Sequence, residues 1–126
     1  MAKQTLVMGI DVGGQSTKLG VVDARGNILY QSVISSLQRE LSTYVDDLTT
    51  AIKDLIKKAE SDGEVKGIGI GAPNGNYYKG TIEFAPNLKW AYDENDKPMV
   101  IFFAKMIRDI VGIPVAITND ANAAAV

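Results

Sequence analysis

Leu6-Val7-Met8-Gly9-Ile10-Asp11-Val12-Gly13-Gly14-Gln15-Ser16-Thr17-Lys18-Leu19-Gly20-Val21-Val22 holds two apolar runs separated by a pair of glycines. The first run ends at Asp11 and the second opens at Thr17, so the spacing predicts two strands about a tight turn. Asp23-Ala24-Arg25-Gly26-Asn27 then breaks the pattern with turn-forming residues, and Ile28 to Ile34 resumes it as a third strand. The chain therefore opens with a three-strand antiparallel meander.

Outward from this meander the period changes. Tyr44, Val45, Leu48, Ile52, Leu55, Ile56 and Ala59 recur at three and four residues, which predicts an amphipathic helix. Thr43 and Asp46 fit a capping box at its start and Gly63 fits its stop. A strand follows over Val65 to Gly71, then a loop-rich stretch from Pro73 to Asp96 with a short strand near Thr81 to Phe84. Pro98 suits a first helical turn, and Ile101, Phe102, Met106, Ile107 and Ile110 form the next helical stripe, a core face ended by Gly112 and Pro114. Val115 to Thr118 reads as a last buried strand, with Asn119-Asp120 capping a helix that begins in Ala121 to Val126. That helix is too short to be stable by itself, so the natural protein is expected to continue. The order β-β-β-α-β-α-β-α predicts an α/β fold: a mixed five-stranded sheet with helices on its faces and right-handed crossovers between parallel strands.

At 126 residues and 46% hydrophobic, the chain has the apolar content of one globular domain. Thirteen basic against fifteen acidic residues give a net charge of -2, no electrostatic footprint for nucleic acid or anionic lipid. Absence of cysteine and histidine removes disulfides, thiolate nucleophiles, imidazole bases and the usual zinc ligands. Chemistry here must run on carboxylates, amides, hydroxyls, lysines or backbone groups. The apolar runs are too short for a membrane span or a signal peptide, so the expectation is a cytoplasmic protein.

Gly67-Ile68-Gly69-Ile70-Gly71-Ala72 formally matches a dinucleotide fingerprint, but Pro73-Asn74-Gly75 stand where its helix would begin. Small residues allowing close backbone approach in a packed sheet explain it better. Asp11-Val12-Gly13-Gly14 is more informative: two glycines let backbone N–H groups face a phosphate while the carboxylate holds magnesium through water. An ordinary hairpin with a solvated aspartate has the same sequence. The spacing is not that of a Walker A loop. Asn119-Asp120-Ala121-Asn122, between strand and helix, places polar side chains at a sheet edge where ligands gather, or simply caps the helix. Asn74-Gly75 and Ala85-Pro86-Asn87-Leu88-Lys89-Trp90 carry amides and a tryptophan suited to a polyol, or to turn chemistry with a partly buried aromatic.

Taken together, Gly9-Ile10-Asp11-Val12-Gly13-Gly14, Gly69-Ile70-Gly71-Ala72-Pro73, Ala85-Pro86-Asn87-Leu88-Lys89-Trp90, and Pro114-Val115 leading to Asn119-Asp120-Ala121-Asn122-Ala123-Ala124-Ala125 resemble the ROK family of sugar kinases and sugar-responsive repressors. The resemblance runs from Leu6 to Val126, with glucokinase-like members nearest. It implies an actin-like, ribonuclease-H-like amino-terminal lobe over residues 1–126, with the carboxyl-terminal lobe outside this sequence. Asp120 matches the family's catalytic base and, with Asn119 and Asn87, its sugar-binding positions; Gly75 lies in the loop that closes over the sugar. Asp11, Gly13, Gly14 and Gln15 match the phosphate hairpin, with Asp11 nearest to Mg2+, and Lys18 matches a basic position after it. Gln15 stands where the family usually has threonine, and Asn74 where it usually has glycine.

The resemblance implies ATP-dependent phosphorylation of a glucose-like hexose by a homo-oligomeric full-length protein. The second phosphate loop, the adenosine pocket and the family's Cys/His zinc cluster would lie beyond Val126. Because phosphoryl transfer needs both sides of the cleft, these 126 residues alone are expected to be inactive. The alternative is a sugar-sensing transcriptional regulator of the same family. Only ten residues precede Asp11 in this sequence, so a helix-turn-helix reader ahead of it is not expected.

Overall fold

A computed structural model describes residues 4–119. In chain order the elements are β1 (Gln4–Val12), β2 (Ser16–Val22), β3 (Ile28–Ser35), α1 (Leu41–Lys58), β4 (Gly63–Ala72), β5 (Gly75–Asn76), β6 (Thr81–Glu83), β7 (Val100–Ile101), α2 (Phe103–Val111) and β8 (Val115–Asn119). Alternation in β1 buries Leu6, Met8, Ile10 and Val12 and turns Val7, Gly9 and Asp11 to the opposite face. β1 to β3 form the expected antiparallel meander, with Asp11 opposite Lys18 and Lys18 opposite Val33. β4 runs parallel to β1, and β8 parallel to β4, giving a mixed sheet of order β3-β2-β1-β4-β8.

The core lies between one face of this sheet and both described helices. α1 buries Tyr44, Val45, Leu48, Ile52 and Leu55, and α2 buries Phe103 and Ile107 against the same cluster. Burial of each large aliphatic side chain is worth about 1.5–3 kcal/mol. The other face is left open over Gly9, Gly20, Gly69 and Ala116, which lie side by side in the register of β2, β1, β4 and β8. A side chain built on Gly9, Gly67 or Gly69 would meet nothing within 4 Å. Close packing against a neighbour, expected for Gly67, Gly69 and Gly71, is therefore not what Gly67 and Gly69 provide within the described residues.

Several boundaries differ from the sequence expectation. α1 begins at Leu41 after Glu40, with no side-chain cap, so Thr43 and Asp46 lie inside the helix and form no capping box. The helix closes at Ala59, and Gly63 instead opens β4, where a β-carbon would come within 2.5 Å of the Gln4 carbonyl oxygen. Residues 98–102 are not helical: Val100–Ile101 pairs with β6, and Pro98 bridges to Tyr92. Phe102 is 59% and Ile110 43% exposed, so neither belongs to the core. Gly112, in the left-handed region at φ 73°, does end α2, its N–H donating to the Arg108 carbonyl. The short strand expected near Thr81 to Phe84 is β6, and it belongs to a second small sheet, β5-β6-β7, whose other two strands the sequence did not predict. The helix expected over Ala121 to Val126 lies outside the described residues.

Candidate functional site

The parallel strands β1, β4 and β8 end together at Val12, Ala72 and Asn119, with Ala72 opposite Asn119. The glycine hairpin, the turn after β4 and the end of β8 thus lie at one edge of the sheet, where open α/β sheets bind ligands. Asp120, expected to be the catalytic base, lies outside the described residues.

The hairpin is tightly built. Gly13 N–H donates to the Ser16 carbonyl at 3.0 Å, and a β-carbon on Gly13 would come within 2.8 Å of that oxygen. Gly13 therefore supplies shape, and its N–H already has a partner. The N–H groups of Gly14 and Gln15 have no protein acceptor among the described residues, which leaves them as donors for an anion. A β-carbon on Gly14 would lie 3.2 Å from the Asn87 carbonyl oxygen, so the hairpin and the loop bearing Asn87 are in direct apposition.

Asp11 lies on the open face between Lys18 of β2 and Gly71 of β4, and Thr118 follows Gly71 in the same row. Lys18 is on the strand itself, and no ion pair joins it to Asp11 among the described residues. Asp11, Lys18, Gly71, Tyr77 and Thr118 share the rim of an open depression of about 1040 Å³. No cluster of three metal-ligating side chains occurs among the described residues. A single exposed carboxylate at Asp11 fits Mg2+, which is commonly held by one or two carboxylates together with nucleotide phosphates.

After β4, Asn74 adopts φ 57°, in the left-handed region that asparagine tolerates better than other side-chain-bearing residues. Its Nδ2 donates to the Phe84 carbonyl at 3.0 Å and its carbonyl accepts from Glu83 N–H at 3.1 Å. Gly75 sits so close to β8 that a β-carbon would overlap the Thr118 carbonyl. Glu83 accepts from Thr81 Oγ1 at 2.7 Å and Asn76 Nδ2 at 3.0 Å. The Thr81 bond, more than the nearby Lys79 charge, holds its carboxyl below the usual carboxylate range. Gly75, Asn76, Tyr77, Glu83 and Thr118 line a second depression of about 340 Å³.

Asn87 is exposed on the loop between β6 and β7, and Tyr92 Oη donates to the Pro86 carbonyl at 2.8 Å to brace that loop. Trp90 is only 1% exposed and stacks on Tyr44, so it does not cover a sugar face as its loop position suggested. The structure therefore brings Gly14 of the hairpin against Asn87, and Gly75 against the strand ending in Asn119. Sequence reading missed Thr118, Tyr77 and Glu83. Thr118 was detectable as the neighbour of Asn119-Asp120, whereas Glu83 reaches the site only through pairing of β5 with β6.

A family model described as "ROK family" matches residues 7–126. The chain belongs to the ROK family. It is 35% identical over 121 residues to a glucokinase of Streptomyces coelicolor, covering 95% of this chain and 34% of that protein. A ROK glucokinase from Streptomyces griseus, solved in complex with glucose and AMPPNP, superposes with a TM-score of 0.68 at 33% identity, covering 95% of this chain and 35% of the other. A ROK family transcriptional regulator, homologous to the E. coli MLC protein, has the same fold, with a TM-score of 0.80 at 17% identity over 97% of this chain and 29% of that one. The ROK chain thus spans about a third of the length of these relatives. Its α/β fold with a mixed five-stranded sheet matches the actin-like kinase structures of the family. None of its described helices is long and apolar enough to cross a membrane.

Proposed function

We propose that these residues are the amino-terminal lobe of a protein that transfers the γ-phosphoryl group of ATP to a hexose hydroxyl, glucose being the first candidate. The observation that carries this reading is the apposition of Gly14 and Asn87, which brings anion-donor and sugar-amide segments together at the carboxyl edge of the sheet. Similarity to a glucokinase seen with glucose and AMPPNP supports the same assignment.

In this reading Gly14 and Gln15 donate backbone N–H bonds to nucleotide phosphate and Gly13 shapes the turn. Asp11 would hold Mg2+ through water, and Lys18 adds positive charge to the same rim. Magnesium, when bound, neutralises charge on the transferring phosphoryl group. Gly75, Asn87 and Asn119 position the sugar, and Asp120 accepts the proton of the attacking hydroxyl. The full-length protein acts in the cytoplasm as a homo-oligomer. The 126 residues alone, holding one side of the cleft, do not turn over.

A coupled assay of hexose phosphorylation by the full-length protein and its Asp120→Asn variant tests this. Turnover that falls at least about a hundredfold in the variant supports the reading. No turnover on any hexose, with sugar binding intact, would replace it with the sugar-sensing transcriptional regulator.

A further inference from the structure

Tyr44 lies fully buried in the first turns of α1, where phenylalanine would serve packing equally well. Its hydroxyl shares a hydrogen bond of 2.6 Å with Thr17 Oγ1, which in turn shares one of 2.7 Å with Ser36 Oγ. Thr17 and Ser36 are fully buried as well. Buried hydroxyls are costly unless each finds a partner, so the three fix one another's positions.

This chain of hydroxyls ends on the glycine hairpin. Thr17 follows it directly in β2, and Ser36 also donates its backbone N–H to the Gln15 carbonyl at 2.9 Å. The other side of Tyr44 meets the opposite segment of the site: its ring stacks on Trp90 with centroids 4.0 Å apart and planes at 11°. Trp90 belongs to the same loop as Asn87 and stacks in turn on Phe103 of α2 at 5.7 Å. A single side chain therefore joins the two segments from beneath, while Gly14 and Asn87 join them at the surface.

We propose that Tyr44 is a positioning residue that locks the glycine hairpin to the loop bearing Asn87, so that a ligand on one tightens binding at the other. This rests on reading the two segments as nucleotide and sugar sites. A nucleotide that orders Gln15 to Thr17 fixes the Tyr44 hydroxyl, and through the ring it holds the Trp90 loop. The sugar then meets a loop that is already ordered, which is positive coupling between sites.

The test measures glucose affinity of the full-length protein with and without AMPPNP, for wild type, Tyr44→Phe, Thr17→Val and Thr17→Ser, with a melting temperature for each. Another hexose replaces glucose if the wild type phosphorylates that one instead. AMPPNP should tighten sugar binding at least about fivefold in the wild type and in Thr17→Ser, which keeps the hydroxyl. The gain should fall below about twofold in Tyr44→Phe and Thr17→Val, and the double variant should lose no more than either single one. An unchanged gain in folded Tyr44→Phe, whatever its melting temperature, would make the network merely structural. A wild type that phosphorylates sugar without any such coupling would overturn the proposal and leave the kinase reading standing. A wild type that binds neither ligand would overturn both.

Discussion

Gly75 leans on the Thr118 carbonyl at the end of β8, leaving no room for even a methyl group, and its backbone is not in the left-handed region. Space, not conformation, thus demands glycine there. The contact joins the turn after β4 to the strand that delivers Asn119, the two segments proposed to meet the sugar.

Gly75→Ala must push these segments apart. It is expected to destabilise the protein by about 1–3 kcal/mol, the cost of overpacking a tight contact. In the full-length protein it should raise KM for sugar more than KM for ATP. Denaturant unfolding and steady-state kinetics check the two parts separately.

Gly14→Ala meets a softer obstacle, since its β-carbon would sit 3.2 Å from the Asn87 carbonyl oxygen and 3.6 Å from Asn87 Cβ. A shift of a few tenths of an ångström accommodates it, so stability should change by less than about 1 kcal/mol. Alignment of the two segments changes directly, and kcat/KM is expected to fall by about tenfold with either substrate varied. Unaltered kinetics would show that the apposition has no functional consequence.

At Asn74 the backbone conformation separates two substitutions. Asn74→Gly keeps the left-handed region accessible and loses only the side-chain bond to the Phe84 carbonyl. Asn74→Ala loses the bond and also pays the steric penalty of φ 57°, about 1–2 kcal/mol more. Thermal melts should therefore rank wild type above the glycine variant and the glycine variant above alanine.

Burial pushes the Tyr44 hydroxyl up to about 12, an effect that its bonds to Thr17 and Ser36 only partly offset. The folded protein thus holds this proton more tightly than the unfolded chain, whose tyrosines titrate near about 10. The resulting stability is fully present below pH of about 10 and is lost as pH rises to about 12, at up to about 1.4 kcal/mol per pH unit. Tyr30, raised by its bond to Asp62, acts in the same direction but is common to wild type and Tyr44→Phe. Stability of Tyr44→Phe should accordingly fall less steeply than wild type between these limits in chemical denaturation at successive pH values.

Local pattern carried much of this fold. Alternation at Leu6, Met8, Ile10 and Val12 and the three-and-four spacing from Tyr44 to Leu55 are set by backbone geometry within a few residues, so the meander and α1 were legible. Strands of two residues such as β5 and β7 have no period to read, and Val100–Ile101 passed for helix because Ile101 also fits a helical stripe. Helix termini were misplaced for a related reason: Thr43 and Asp46 have the right identities for a cap, but Leu41 and Tyr44 already find burial that extends α1 backwards.

Sequence by itself determined the α/β pattern, the hairpin at Gly13-Gly14 and the polar residues at strand ends, because each depends on neighbours along the chain. Only the tertiary structure decided that Trp90 is buried on Tyr44, that Gly14 abuts Asn87 and that Gly75 abuts Thr118. Those relationships join residues distant in sequence, and they arise from parallel pairing of β1, β4 and β8 and from packing of both helices on one face. No local periodicity encodes them, since the free energy that fixes them comes from burial and close packing across the whole core.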